Sequence, residues 1–169
     1  MRSQVAYPFI PKSTAHIAVG QFWSIPLADT YYACGRVLQF DEQGGKRHSR
    51  IFLAGLLDWI DQSPPSSESI RGTRLFAHGA AHVKTITANR GQILGCRELD
   101  LDDIEIPYTL DGTDGPNVCQ GFRIIRAATE QDLTLPIFSN WGFGVIVLLA
   151  EKLLRHRLDG EKQHQEDLL

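Results

Sequence analysis

With 169 residues and 43% hydrophobic content, the chain has the size of one ordinary domain, residues 1–169, and can bury a core without covalent staples. A net charge of −3 and a pI near 6.0 leave no positive footprint for an extended phosphate backbone, which excludes nucleic acid as the expected partner. Three cysteines, Cys34, Cys96 and Cys119, are odd in number and lack Cys-x-x-Cys spacing, so neither a disulfide framework nor a zinc knuckle is indicated, and a reducing compartment fits best.

The lead-in, residues 1–15, carries Pro8 and Pro11 in a short apolar patch without the length or cleavage pattern of an export signal, so a cytoplasmic protein is expected. From Ile17 the apolar residues alternate through Val19, Trp23, Ile25 and Leu27, the period of a half-buried strand, with Pro26 placing it at an edge or in a bulge. Residues 28–30 read as a turn. Residues 31–40, rich in aromatic and β-branched side chains, read as a second strand, in which Gly35 allows a bulge or a close backbone approach. The turn at 41–48 holds Gly44-Gly45. Residues 50–57 are apolar on both faces, as in a strand covered on both sides. Together residues 17–57 predict a β-meander.

Residues 61–72, with two prolines and four serines, predict an exposed loop. Residues 75–86 fit a short helix or a strand, and the helix is taken here. Short strands are expected at 92–96 and 121–127, on either side of the acidic run at 98–105 and the turn-rich 111–115. Ser139-Asn140 can cap a helix over 141–157 that ends on Arg155, His156 and Arg157, and the polar tail at 159–169 is expected to fray. Its apolar run, 143–150, is well short of the ~20 residues that span a bilayer, so no membrane partner is expected. The fold class that follows is α+β: an antiparallel sheet, barrel-like or strongly bent, packed by a long C-terminal helix and one or more short ones.

Residues that could carry chemistry are few. His78 and His82 stand at i and i+4, and on a helix they would share a face as zinc ligands do, yet the glutamate of a His-Glu-x-x-His site is absent. Glu98, Asp100, Asp102, Asp103 and Glu105 crowd five carboxylates into eight residues without the ligand order of an EF-hand. They form a candidate negative surface for a basic partner, where charge complementarity raises the on-rate. No nucleophile elbow, phosphate loop or dinucleotide pattern occurs, so no cofactor is implied. Arg36, in a strand otherwise built for burial, must either snorkel to the surface or pair with a carboxylate.

The segment Val19-Gly-Gln-Phe-Trp-Ser-Ile-Pro-Leu27 followed by Tyr32-Ala-Cys-Gly-Arg-Val-Leu38 resembles the opening hairpin of the immunity protein 26 family of bacterial polymorphic-toxin systems. That family's pattern reads roughly Gly-Asp-x-Phe-x-Ile-Pro-Leu, a turn, then Tyr-x-x-Gly-Arg-Val. Gly20, Ile25, Pro26, Leu27, Tyr32, Gly35, Arg36 and Val37 match it in order, while Gln21 replaces the acidic residue and Ala-Asp-Thr the commoner glycine-containing turn. Gln92-Ile-Leu-Gly95 is similar to the family's Trp-x-Ile-x-Gly without its tryptophan.

The resemblance implies an antitoxin that blocks a cognate toxin, encoded next to it, by direct binding and without catalytic residues. Two other readings compete with it. One is a metal-dependent enzyme using His78, His82 and a carboxylate from the acidic run. The other is a small barrel-like module that binds a peptide.

Overall fold

A computed structural model describes residues 5–167, which form an α+β fold. A 3-10 turn at Thr14–His16 leads into β1 (Gln21–Pro26), and the chain returns through β2 (Tyr32–Gln43) and β3 (Lys46–Asp61). Gly44 and Gly45, both at positive φ (59° and 75°), make the two-residue connection between β2 and β3 that type I′ hairpins require. The meander is therefore present, with Trp23 opposite Gly35 and Gly35 opposite Leu56. It begins at Gln21 and not at Ile17, because Gln21 N–H donates to the Ala18 carbonyl and Gly20 turns the chain with φ 89°.

Next come β4 (Leu75–His82), α1 (Lys84–Thr87) and β5 (Ile93–Cys96), then the short β6 (Tyr108–Leu110), β7 (Asn117–Gln120), β8 (Arg123–Ala127) and β9 (Asn140–Trp141), and finally α2 (Val145–Glu166). Six strands form one sheet in the order β5-β1-β2-β3-β4-β9; β6-β7-β8 form a second. The large sheet is bent and open, not a closed barrel. Three register shifts between β2 and β3 supply local bends of the kind that extra residues in a ladder produce.

Both faces of the large sheet are covered. Trp23, Ile25, Phe52 and Leu56 pack with Ile146 and Ala150 of α2 on one face. Phe22, Leu38, Leu53 and Leu57 pack on the other, against Ile70, Ile104, Phe122 and Phe138. Gln21 through Ile25 are consequently all buried, so the alternation in β1 does not mark a half-exposed strand. Pro26 is the last residue of an interior strand, beyond β5's last partner Trp23, and the bulge falls earlier, between Phe22 and Trp23.

Three further expectations change. Residues 75–82 form a strand, not a helix: β4 pairs along β3 from Leu57↔Leu75 to Ile51↔His82, and only 84–87 are helical. The long helix starts at Val145, because Asn140 and Trp141 pair with Ala80 and Ala81 as a parallel strand, and the Trp141 indole lies where a side chain at Gly79 would be. Burying that ring outweighs a local cap. At the other end the helix continues through 159–166, where a fraying tail was expected, and residues 168–169 lie outside the described ones. Residues 61–72 are exposed apart from the buried Pro65 and Ile70.

Candidate functional site

Arg36 neither snorkels nor faces solvent. It lies on the face of β2 opposite α2, and its side chain, like that of Asp102, has 0% exposure. Arg36 Nη1 donates to Asp102 Oδ2 at 3.4 Å, and Nη2 donates to the Arg97 carbonyl. Asp102 is further held by Arg97 Nε, 2.9 Å from each carboxylate oxygen, and by the Gly72 N–H at 2.8 Å. Burial alone would raise the Asp102 pKa, but the Gly72, Arg97 and Arg36 hydrogen bonds together carry it below the usual carboxylate value. Burial pulls the Arg36 pKa down, and the Asp102 bond opposes it.

The hairpin motif builds this lock. Gly20 receives the Arg97 N–H on its carbonyl at 3.0 Å, and a Cβ on Gly20 would sit 2.7 Å from the Arg97 oxygen. At Gly35 a Cβ would fall inside the Trp23 ring, which stands edge-on to Phe52 with centroids 5.9 Å apart. Ile25 and Val37 are buried in the same core, with Leu27 packed against it; Pro26 and Tyr32 are partly buried at the hairpin end. All eight motif positions are thus buried or partly buried. Two of them, Gly20 and Arg36, bond directly to residues 97–102.

Asp102 therefore does not belong to the negative surface expected over 98–105. Glu98, Asp100, Asp103 and Glu105 remain exposed around it. The 3-10 turn Leu99–Asp102 sends Asp102 inward and ends on Asp103 in the left-handed region, φ 52°.

His78 and His82 sit on a strand, where i and i+4 are about 13 Å apart and cannot share a metal ion. His82 Nδ1 accepts the Lys84 N–H at 3.0 Å and its ring meets Phe143 edge-on, while His78 is held below its usual pKa by burial. Among the described residues no three His, Cys, Asp or Glu side chains are placed to hold a metal ion. The enzyme reading thus loses the helix on which it depended.

The second sheet presents a surface that the sequence did not mark. All five residues of β8 are exposed, with Ile124 at 62% and Ile125 at 43%. Tyr108, Val118, Ile125 and Leu135 line a cleft of about 290 Å³. It is walled by Arg126 and Asp132, whose two hydrogen bonds measure 2.5 and 2.9 Å. A larger groove of about 530 Å³ joins Val19 and Phe40 of the large sheet's side to Phe122 and Arg123. In it Arg47 lies 3.6 Å above the Phe40 ring and 3.8 Å from Glu42, whereas Arg123 makes no ion pair among the described residues. Among the described residues no helix is long and apolar enough to cross a membrane.

No curated protein and no solved structure matches the chain. The family model described as immunity protein 26 matches residues 18–113, more than half of the 169, and that span holds the hairpin, Arg36, Arg97 and Asp102. The chain belongs to the immunity protein 26 family.

Proposed function

We propose that this protein is an antitoxin, which neutralises a cognate polymorphic toxin by direct protein-to-protein binding in the cytoplasm and catalyses no reaction. The observation that carries the reading is the family match over residues 18–113, in which Gly20, Gly35 and Arg36 each meet a specific steric or electrostatic demand. Tight inhibition needs roughly 800 Å² per partner with a few buried anchors, which a 169-residue domain can supply. The exposed carboxylates Glu98, Asp100, Asp103 and Glu105 are proposed to meet basic residues of the toxin, steering its approach.

The test is co-expression with the toxin-like product of the adjacent gene. Restored growth and a complex that co-elutes on size exclusion are expected. Absence of both protection and complex would overturn the proposal.

A further inference from the structure

Among the described residues, the outermost strands of more than two residues have their free edges at least partly bonded, except β8. Phe9 and Ile93 exchange two backbone hydrogen bonds (3.1 and 2.9 Å) along the outer side of β5, β9 covers β4, and the Pro136 and Phe138 backbones bond Leu110 along the outer side of β6. β8 has a partner on one side only, β7, and no backbone partner on the other among the described residues. Since the Ala128 N–H donates to the Pro116 carbonyl at 3.0 Å, the alternation of an antiparallel ladder turns the Ala127 N–H outward, to the open side.

An open edge carrying two exposed isoleucines is a template for another strand. Arginines at 123 and 126 bracket those isoleucines, and a second copy of β8 would bring four guanidinium groups into one small ladder. Only Arg126 has an internal counter-charge, Asp132, so Arg123 favours an occupant that supplies a carboxylate. The family match ends at residue 113, before β7 and β8 begin, so this surface is outside what the family model shares.

From these observations we infer that the open edge of β8 receives an extended, acidic segment of the toxin, which adds as a fourth strand to β6-β7-β8, sets a carboxylate against Arg123 and packs apolar side chains on Ile124 and Ile125. This rests on the antitoxin reading and names the surface it uses. The exposed carboxylates of 98–105 are then no part of this contact and act on the approach. β8 supplies its apolar centre.

The experiment measures binding of an inactivated effector domain from the adjacent gene to the full chain and to Arg123→Glu and Ile124→Glu. Both substituted side chains are exposed, so circular dichroism and Tm should not move. Affinity should fall about tenfold or more in each variant, and exchange of the Ala127 amide should slow on complex formation. Unchanged affinity, or protection confined to other segments, overturns the surface while leaving the antitoxin reading in place. Failure of the unaltered chain to bind the effector overturns both. A dimer of the free protein that the two variants dissolve would show a second copy on the edge and overturn the toxin segment as its occupant.

Discussion

The guanidinium of Arg36 and the carboxylate of Asp102, 66 positions apart in the chain, meet at 3.4 Å with neither side chain exposed. A buried pair of this kind is weak evidence for net stabilisation, but removal of one member is costly because the other is left charged in a dry site. Asp102→Asn is expected to lower unfolding free energy by about 3 to 5 kcal/mol. Asp103→Asn, on the exposed neighbour, should stay within about 0.5 kcal/mol. Urea titration of both variants checks the contrast, and equal losses would refute the lock.

The same site predicts how stability responds to acid. The Asp102 pKa is lowered in the fold, so its contribution is complete above about pH 5 and drains away as pH drops below about 4, through the folded value. His78 acts in a higher window: burial lowers its pKa, and the neutral ring's contribution begins to be lost as pH falls through about 6.5. Denaturation midpoints from about pH 8 to about pH 3 should show a shallow decline and then a steep one. Asp102→Asn should flatten the steep part, leaving the share of Asp58, Asp111 and Asp132, which are also lowered, and an NMR titration should place His78 below the free imidazole value.

Gly35→Ala is expected to destabilise by about 1 to 3 kcal/mol, because the added methyl enters the Trp23 ring and that ring is hemmed in by Phe52 and Gly91. Near-ultraviolet circular dichroism should report the displaced indole. Gly112→Ala, where a Cβ meets nothing within 4 Å, is the control.

Asp58 joins α2 to β3. Arg157 Nη2 donates to its carbonyl at 2.6 Å and to Oδ1 at 2.8 Å, and Arg74 Nε donates to Oδ2 at 2.9 Å. With the partners partly exposed, Asp58→Ala should cost roughly 1 kcal/mol, and most of the effect should be local. Faster amide exchange in the second half of α2, with the large sheet unchanged, is the expected readout.

Where one segment decides its own shape, the sequence was readable: Gly44-Gly45 announced the hairpin, and the unbroken apolar run at 52–57 announced a strand covered on both faces. Where distant residues decide, it was not. β4 carries alanine, glycine and histidine with little β-branching, and only the ladder to β3 makes it a strand. Asn140-Trp141 resembled a helix start until Gly79 offered the indole a place.

Among five similar carboxylates, nothing local distinguishes Asp102. A buried arginine two strands away does, although Arg36's need for a carboxylate could be read from its apolar surroundings. The exposure of β8 had no signal at all, because Arg-Ile-Ile-Arg looks the same in a covered strand and an open one.

Phe122 and Phe138 stand edge to face, their ring centroids 5.8 Å apart, near the two ends of the segment that makes up β8 and the turn after it. Gly121 packs against Leu53, and Gln39 accepts the Phe122 N–H at 2.7 Å, so the small sheet is pinned to the large one at its root. Everything between the two phenylalanines, residues 123–137, projects from a clasp that the main core holds shut. No residue of that span pairs in a ladder with the six-stranded sheet, so substitutions there are expected to leave that sheet in place. A lineage facing a changed adversary could therefore exchange this segment while inheriting the rest of the molecule unaltered.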